Sequence, residues 1–377
     1  MEPVVGILRR GAPAVSITGL SKEEVGALQG AAALPDARVS LVLRDSPAGT
    51  GAVVAASPDD LRRFLSRLTS FHPALAALGR KIQSFLDNSF RSDYKLKCRG
   101  VVLDLGSRTH IMGILNVTPD SFSDGGSFLD PKQALERARE MADQGVDIID
   151  IGGESTRPGA DSVPEDEELR RVLPVIERLA GELSVPLSID TYKSAVARKA
   201  LQAGASIVND ISGLRFSPDM ARVAAASGAA VVIMHIRGTP RDMQKDPVYG
   251  DVVRDVAAAL AEGIELALQA GVDPEQVLID PGIGFGKTFE HNLTLLDRLD
   301  ELQALGRPIL LGTSRKRFIG DALGISDPAL RREGTAATVA LGIERGARVI
   351  RVHDVAEMAR VARMTDAILK QARNENY

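Results

Sequence analysis

The hydrophobic and polar positions of the chain change their pattern near residue 100. From Val101 onward, short apolar runs alternate with segments whose apolar residues recur at helical spacing, as in Pro131–Gln144, Glu165–Leu183 and Pro247–Ala270. Unbroken apolar runs such as Ala229–Met234 are typical of parallel strands that are covered on both faces. The predicted strands end near Asn116, Gly152, Asp190, Asp210, His235, Pro281, Gly312 and His353.

The spacing of these strand ends predicts the fold. They lie about 34 residues apart on average, the length of one strand–helix unit, and eight such units span roughly 250 residues. A (β/α)8 TIM barrel fits this spacing better than an open doubly wound sheet. The predicted fold class is therefore α/β, with a (β/α)8 barrel over residues 101–377 that is preceded by a small α/β domain. In such barrels, ligands bind at the carboxyl ends of the strands.

Residues 1–90 are predicted to form the small α/β domain, whose role the sequence does not reveal. Ser21 followed by Glu24 is a capping box at the start of a helix, and Ser57 is predicted to cap a second helix. The other predicted elements are strands at Ala14–Thr18, Val39–Leu43 and Ala52–Ala55 and a helix at His72–Leu86.

The segment between the two domains is predicted to be a linker at residues 91–100, because Asn88–Lys97 is polar. Val101–Leu105 and Arg108–Met112 flank the turn-forming pair Gly106–Ser107. This pattern predicts a hairpin that leads into the first strand of the barrel.

Composition and charge exclude several classes of protein. The 377 residues include 46 basic and 50 acidic side chains, a net charge of −4, which excludes a generally basic nucleic-acid-binding protein. The longest nearly apolar run, Val223–Ile236, is too short to span a bilayer, and Met1–Arg10 lacks the features of a secretory signal. The single cysteine, Cys98, excludes an intrachain disulfide framework. We therefore expect a cytoplasmic protein that binds neither nucleic acid nor membrane.

Nearly every predicted strand ends in a polar residue, which helix capping alone does not explain. Carboxylates and amides suit a planar heterocycle with an edge rich in N–H donors, whereas arginine and histidine suit phosphate. Mg²⁺ shared between Asn116 and a substrate diphosphate would fit the same end of the barrel, because Mg²⁺ often takes few protein ligands beside phosphates. The polar residues are Asn116, Asp190, Asn209, Asp210, His235, Asp280, Ser314, Arg315, Lys316, Arg351 and His353.

Three loops after the predicted strands are rich in glycine, proline or short polar residues. Thr118–Gly126 and Ser155–Gly159 have the composition of mobile lids, although ordinary turns have similar sequences. The third loop, Asp280–Thr288, ends in Gly-Lys-Thr like a phosphate-binding P-loop. That motif needs glycine where this chain has Pro281, and proline lacks the N–H that binds phosphate. An ATPase or GTPase is therefore disfavoured, and the glycines of this loop predict a close backbone approach to a ligand.

Seven segments carry a resemblance to a known family, and the first two, MGILNVTPDSFSDGG and DIGGESTRPGA, are highly specific. The segments are Met112–Gly126, Asp150–Ala160, Ser188–Lys193, Val208–Gly213, Asp280–Lys287, Gly312–Lys316 and Arg351–Val355. Together they resemble the dihydropteroate synthase family over about residues 100–371. The resemblance implies that 6-hydroxymethyl-7,8-dihydropterin diphosphate condenses with p-aminobenzoate, which yields 7,8-dihydropteroate and diphosphate in folate biosynthesis.

The resemblance also implies the roles of individual residues. Asn116, Arg351 and His353 would hold the diphosphate, with the cofactor Mg²⁺ bound through Asn116. The pterin would contact strand ends, and p-aminobenzoate would contact the loops. The implied pterin residues are Asp190, Asn209, Met234, Asp280 and Lys316, and the implied p-aminobenzoate residues are Thr156, Arg157, Pro158, Phe285 and Lys287.

Three of these residues, Asp190, Arg157 and Lys316, are implied to be catalytic. Departure of the diphosphate would be the difficult step, since an arylamine is already neutral at pH 7 and needs no strong base. The residues around the diphosphate would stabilise its charge, and the closed loops would exclude water. The chain departs from many members of the family at Ile283 and from some at Arg317. A homodimer and inhibition by sulfonamides are further implications of the resemblance.

Two other functions remain open from the sequence. A methyltetrahydrofolate-binding methyltransferase would share the barrel and the pterin site, but it would need neither the diphosphate residues nor the TPDSF segment. A non-catalytic pteridine-binding protein would bind the pterin without turnover. Release of diphosphate when both substrates are added separates the implied synthase from both of these alternatives.

Overall fold

The computed structural model describes residues 4–8, 14–33, 37–46, 49–71, 73–118 and 131–374. The chain divides into two compact units. The first unit is Met1–Arg91 together with Gln303–Gly306, and the second is Ser92–Leu302 together with Arg307–Tyr377.

The first unit contains a four-stranded antiparallel sheet and three helices. The sheet has the strand order β1-β2-β4-β3. Ser21 Oγ accepts a hydrogen bond from Glu24 N at 3.1 Å, and Glu24 Oε2 accepts one from Ser21 N at 2.7 Å, which confirms the predicted capping box. Ser57 Oγ likewise accepts from Asp60 N at 3.2 Å. The elements are β1 (Val4–Leu8), β2 (Ala14–Leu20), α1 (Lys22–Ala32), β3 (Ser40–Ser46), β4 (Gly49–Ala55), α2 (Pro58–Phe71) and α3 (Pro73–Ser89).

The predicted linker is wrong from Ser92 onward, because a strand lies within it. β5 (Lys95–Cys98) pairs with β6 (Val101–Asp104) as an antiparallel hairpin. Arg99 and Gly100 both have positive φ, 44° and 92°, as the two central residues of a tight hairpin turn require. This turn pairs β6 with the strand before it, so the predicted hairpin between residues 101–105 and 108–112 does not form.

The β5–β6 hairpin packs under the barrel. Leu96, Cys98 and Leu105 are fully buried. They share a core cluster with residues near the amino-terminal ends of the barrel strands, such as Met112 and Ile207. Because this cluster fills the amino-terminal end of the barrel, the opposite end is the one that can receive ligands.

The second unit is a closed barrel of eight parallel strands, as predicted. Each observed strand ends within one residue of its predicted end. The strands are β7 (His110–Asn116), β8 (Ile148–Gly152), β9 (Leu187–Asp190), β10 (Ile207–Asp210), β11 (Ala230–Met234), β12 (Val277–Asp280), β13 (Ile309–Leu311) and β14 (Ala347–Val352).

Helices follow the barrel strands. The predicted start of one helix at Pro247 is wrong, because Asp251 accepts hydrogen bonds from Val253 N and Arg254 N and so caps the helix at Val252. No helix of the described residues is long and apolar enough to cross a membrane. The helices are α4 (Pro131–Asp143), α5 (Glu165–Glu182), α6 (Ser194–Ala203), α7 (Met220–Ser227), α8 (Val252–Gln269), α9 (Phe289–Asp297), α10 (Arg317–Leu323), α11 (Arg332–Glu344) and α12 (Val355–Asn374), with short 3-10 helices at Pro274–Gln276, Leu299–Leu305 and Pro328–Leu330.

Candidate active site

Polar side chains from three strands meet at one guanidinium group. Arg351 on β14 donates from Nε to Asp150 Oδ2 at 2.6 Å and from Nη2 to Asp190 Oδ2 at 2.7 Å. Asp150 lies on β8, and Asp190 is the last residue of β9. Burial raises the pKa of Asp190 above the usual carboxyl range, while the Arg351 charge opposes the rise and Asp150 adds to it. The carboxyl ends of the strands therefore hold two carboxylates that share one cation.

Asp150 is a site residue that the sequence analysis missed. It is 0 % exposed, and its Oδ2 also accepts a hydrogen bond from Asn209 Nδ2 at 2.9 Å. Within the described part of the chain, the Oδ1 atoms of Asp150 and Asp190 have no hydrogen-bond partner. Buried carboxylate oxygens without partners are uncommon, so these two atoms point to donors on a ligand. The available signal was a lone carboxylate inside the apolar run Ile148–Ile151, where a buried charge needs a compensating partner.

Asp280 and Lys316 form a second group at the same end of the barrel. Asp280 accepts a hydrogen bond from Gly282 N at 2.7 Å, and Lys316 Nζ donates to Ile283 O at 2.5 Å. Burial lowers the pKa of Lys316 to about 8, against the opposing charge of Asp280. A Cβ on Gly312 would lie 3.9 Å from Lys316 Nζ and 3.7 Å from Arg351 Cβ, so the second group borders the first.

The glycines of the Asp280–Thr288 loop serve close packing between two loops. A Cβ on Gly282 would lie 1.9 Å from His235 O, and a Cβ on Gly286 would lie 2.5 Å from Arg237 O. Both glycines have positive φ, 66° and 63°. The loop thus packs closely against the segment that follows β11. This close packing explains its glycines without a phosphate-binding P-loop.

Lys287, predicted to contact p-aminobenzoate, belongs to this loop, and its side chain is buried. It is 2 % exposed, and its Nζ is 2.9 Å from His235 Nδ1 and donates to Phe285 O at 3.0 Å. Burial lowers the pKa of Lys287 well below its ordinary value, and burial together with the Lys287 charge lowers the pKa of His235 to about 2. This position favours a role in holding the loop over direct contact with a ligand, because the amine is surrounded by protein.

His353 lies just beyond β14 and is neutral at pH 7. Burial and the nearby Arg351 lower its pKa to about 3. Its backbone N donates to Ser314 Oγ at 3.1 Å, which leaves the hydroxyl hydrogen free to be donated to His353 Nδ1 at 3.0 Å. This arrangement is compatible with the tautomer that carries the ring proton on Nε2, in which His353 can donate a hydrogen bond to an anion without contributing a charge.

An apolar wall adjoins these polar groups. Met234 packs with Ile211, Ile236 and Met243, and the half-buried rings of Tyr192 and Phe285 lie against this cluster. Lys316 Nζ is 4.8 Å from the centroid of the Phe285 ring. The structure therefore brings Met234 and Phe285, which were predicted to contact different substrates, to one wall beside Lys316.

The two departures from the family pattern, Ile283 and Arg317, differ in exposure. The Ile283 side chain is fully buried, and its carbonyl oxygen accepts the Lys316 hydrogen bond described above. Arg317 is 88 % exposed at the start of α10, where it lies 3.7 Å from Asp321.

The loop after β8 differs from the strand ends. Thr156 is half-buried, and Arg157 and Pro158 are exposed. Gly159 N donates to Pro240 O at 3.0 Å, which links this loop to the one after β11. The predicted loop after β7 lies outside the described residues beyond Thr118.

Asn116, at the end of β7, borders the same space as Asp190. A Cβ on Gly152 would lie 3.8 Å from Asn116 Oδ1 and 3.5 Å from Asp190 Cβ. The residues that the structure describes contain no group of three His, Cys, Asp or Glu side chains that could hold a metal ion. The predicted diphosphate residues Asn116, Arg351 and His353 thus lie at the same end of the barrel as the predicted pterin residues.

Comparisons with known proteins show the family of the chain. The model of the family described as "Pterin binding enzyme" matches residues 112–353. A dihydropteroate synthase of Bacillus subtilis is 52% identical over 269 residues, which cover 71% of this chain and 92% of that protein. The crystal structure of a Clostridium difficile dihydropteroate synthase in the presence of pteroic acid has 52% identity and a TM-score of 0.67, and the match covers 71% of this chain and 98% of that one.

A third comparison extends the same result. The crystal structure of the Yersinia pestis dihydropteroate synthase with a sulfonamide drug complex has 45% identity and a TM-score of 0.70 and covers 73% of this chain and 99% of that one. The residues that the family model matches, 112–353, lie in the barrel unit. The chain therefore belongs to the dihydropteroate synthase family of pterin-binding enzymes.

Proposed function

We propose that the protein condenses 6-hydroxymethyl-7,8-dihydropterin diphosphate with p-aminobenzoate to form 7,8-dihydropteroate and diphosphate. The observation that carries the proposal is the arrangement of Asp150, Asp190 and Arg351 beside Asp280 and Lys316 at one end of the barrel. Carboxylates, an amide and a lysine there match the donors and the carbonyl oxygen of a pterin, and Arg351 and His353 match a diphosphate.

In this proposal the pterin binds at the strand ends. Asp280 and Asn209 accept and donate hydrogen bonds at the donor-rich edge of the ring, and Lys316 donates to its carbonyl oxygen. Asp190 lies next to Arg351. Met234 contributes to the apolar wall that would pack against the pterin ring. The Oδ1 atoms of Asp150 and Asp190, which lack partners among the described residues, support a ligand that donates hydrogen bonds.

The diphosphate is proposed to lie near Asn116, Arg351 and His353, with Mg²⁺. The donor set fits Mg²⁺ that arrives with the substrate, because Asn116 offers one amide oxygen and the phosphates offer the rest. When bound, Mg²⁺ would neutralise charge on the leaving diphosphate. Arg351 is held by Asp150 and Asp190, so its charge is fixed in place before the anion arrives.

The p-aminobenzoate is proposed to bind between the loop after β8 and the apolar wall. Thr156, Arg157 and Pro158 would cover it, and Phe285 would pack against its ring. Lys287 would support Phe285 from beneath, through its hydrogen bond to the Phe285 carbonyl oxygen.

The reaction then follows from the positions of these charges. The bond between the pterin methylene carbon and the diphosphate oxygen breaks, and the electron pair leaves with the diphosphate. Asp190 stabilises the positive charge that develops on the pterin, and Arg351 and a hydrogen bond from His353 stabilise the leaving anion. The amine nitrogen of p-aminobenzoate then forms the new C–N bond and gives one proton to solvent. Arg157 and its loop exclude water until the C–N bond has formed, and the proton leaves to solvent afterwards.

The test is diphosphate release by the purified protein with each substrate alone and with both. We expect rapid release only when p-aminobenzoate and the pterin diphosphate are both present. Equal release of diphosphate without p-aminobenzoate would contradict the proposal and indicate a hydrolase. Hydrolysis of ATP without a pterin would indicate an ATPase, which Pro281 in the Asp280–Thr288 loop disfavours.

We also propose that the protein is a homodimer, as the family resemblance implies. The support is an apolar surface on the neighbouring helices α11 and α12, where Leu341, Met364 and Ile368 are 50, 62 and 57 % exposed. Met364 and Ile368 are four residues apart and so lie on one face of α12. Sedimentation of the wild type and of Met364→Glu tests this: we expect a dimer and a monomer, respectively.

Inhibition by sulfonamides and a cytoplasmic location complete the proposal. The Yersinia pestis relative was solved with a sulfonamide drug complex, and it is 45% identical to this chain, which supports the same binding here. We expect sulfonamides to compete with p-aminobenzoate and not with the pterin diphosphate. The single cysteine, which is buried and free, is compatible with a reducing compartment.

A further inference from the structure

One lysine holds the base of the loop after β8. Lys193 precedes α6, and its side chain is 12 % exposed. Its Nζ donates to a carboxylate oxygen of Glu154, to Val163 O at 2.5 Å and to Glu168 Oε2 at 2.6 Å. An ammonium group has three donors, so all three are used.

Two of these partners are the two ends of the loop. Glu154 immediately precedes Ser155, Val163 closes the segment, and Thr156 and Arg157 lie between them. One ammonium group therefore joins the start of the loop to its end across nine residues of chain.

The third partner ties the loop to a rigid element. Glu168 lies on α5 and is 1 % exposed, and Glu154 also accepts a hydrogen bond from Tyr192 Oη at 2.6 Å. Tyr192 belongs to the apolar wall of the site. The base of the loop is thus connected both to α5 and to the wall, whereas Arg157 above it is exposed.

The buried charges of Lys193, Glu154 and Glu168 compensate one another. Burial lowers the pKa of Lys193, but hydrogen bonds to Glu154 and Glu168 more than offset it, so the pKa stands above its ordinary value. Burial raises the pKa of Glu168, which Lys193 counteracts. Buried charges keep their partners because an unpaired charge is costly, so the loop base has one strongly preferred geometry.

We propose that Lys193 is a positioning residue for the amine substrate. It fixes both ends of the loop, so that Thr156 and Arg157 close over p-aminobenzoate from a defined base. Lys193 touches no reacting atom itself. The inference rests on the proposed function, because that proposal assigns the loop to p-aminobenzoate.

The test compares Lys193→Met with Lys193→Arg. For Lys193→Met we expect a KM for p-aminobenzoate at least tenfold higher, while the Kd of a non-reactive pterin stays within twofold, since the pterin residues lie on strand ends. Hydrogen exchange of the backbone amides at residues 155–163 should accelerate at least tenfold. Lys193→Arg keeps a cation that can reach both glutamates and should restore most of both properties.

A double variant separates positioning from stability. Lys193→Met combined with Glu168→Gln returns the cluster to its original net charge, so it should recover much of the thermal stability. We expect the KM for p-aminobenzoate to stay high, because Val163 and Glu154 are still not joined.

Arg345→Met is the matched control. Arg345 is a buried cation that donates to Leu296 O at 2.9 Å and to Asp297 Oδ1 at 3.0 Å, and it lies before β14, at the opposite end of the barrel. We expect this variant to lose stability with both KM values unchanged.

Three results would overturn the proposal. The first is unchanged hydrogen exchange at residues 155–163 in Lys193→Met. The second is an equal increase in the KM values for p-aminobenzoate and for the pterin diphosphate. The third is a selective rise of the KM for p-aminobenzoate in Arg345→Met as well. Exchange needs no substrate, so it tests Lys193 even if the wild type makes no dihydropteroate. Lack of turnover in the wild type would count against the proposed function alone.

Discussion

The strand ends of the barrel and the loop after β8 present two different surfaces to a ligand. At the strand ends, Asp150, Asp190 and Arg351 are buried and hold one another through hydrogen bonds of 2.6 and 2.7 Å. In the loop, Arg157 is exposed, and the links to the rest of the barrel lie at Gly159 and at the two ends of the loop. A ligand at the strand ends meets a surface that is already ordered, whereas a ligand under the loop must order part of its own site.

This difference predicts an order of binding. The pterin diphosphate should bind first, because its partners are in place. The p-aminobenzoate should follow, once the first ligand has drawn the loops together.

The largest effect is expected from Asp280→Ala. The substitution removes a charged hydrogen-bond acceptor, and such bonds contribute about 1.5–3 kcal/mol, or roughly a 10- to 150-fold loss of pterin affinity. Calorimetry with a non-reactive pterin measures it. Asp327→Asn, which alters a carboxylate that caps the 3-10 helix at Pro328, is the control and should bind normally. Unchanged affinity of Asp280→Ala would remove Asp280 from the site.

A smaller and more selective effect is expected from Arg157→Ala. Because Arg157 belongs to the exposed loop, its loss should raise the KM for p-aminobenzoate about tenfold, an effect of the size that is usual for coupling between sites. The Kd of the pterin should stay unchanged. Steady-state kinetics with each substrate varied in turn measures this split.

The same contrast is tested with the wild type. Equilibrium dialysis of p-aminobenzoate should show about tenfold tighter binding when diphosphate, Mg²⁺ and a pterin are present than when they are absent. Equal affinity in both conditions would mean that the site under the loop exists before the first ligand binds.

The pH dependence of pterin binding should reveal Lys316. Its pKa is lowered to about 8 by burial, so the ammonium group is mostly charged at pH 7 and loses its proton as the pH rises through 8. Since the charged form donates to the pterin carbonyl, affinity should fall by up to about tenfold per pH unit above pH 8. Lys316→Arg stays charged and should bind with a flatter profile. A wild-type affinity that is constant from pH 7 to 9.5 would contradict this role.

The smallest effect is expected from removal of residues 1–91. A chain that begins at Ser92 keeps β5, whose Leu96 and Cys98 are buried in the barrel core, and should bind the pterin within twofold of the full chain. A chain that begins at Val101 lacks β5 and should unfold at a lower temperature. A folded Ser92 chain that binds the pterin but does not turn over would show that the first unit completes the active site.

Most of the barrel was predictable from the sequence because its signals are local. Continuous apolar runs mark buried parallel strands, and polar residues at or just after many of them, such as Asn116 and Asp190, help to locate the strand ends within one residue. The capping box at Ser21 and Glu24 is equally local, since it needs only the spacing of two side chains.

The errors arose where the outcome depends on distant residues. Lys95–Cys98 is polar at every second position, and it is a strand only because Leu96 and Cys98 reach the floor of the barrel. The burial of Lys287 also depends on distant residues, because its amine is enclosed only where the Asp280–Thr288 loop packs on His235.

The sequence by itself determined the eight strands of the barrel, their order along the chain and the polar residue types near their ends, because these depend on periodicity and on residue chemistry. Only the tertiary structure decided that Asp150 and Asp190 share Arg351 and that Lys193 joins Glu154 to Val163. Partners such as Asp150 and Arg351 are 201 positions apart in the chain, and no local pattern encodes such a distance. Closure of the barrel brings them together, because its parallel strands present all their carboxyl ends at one rim.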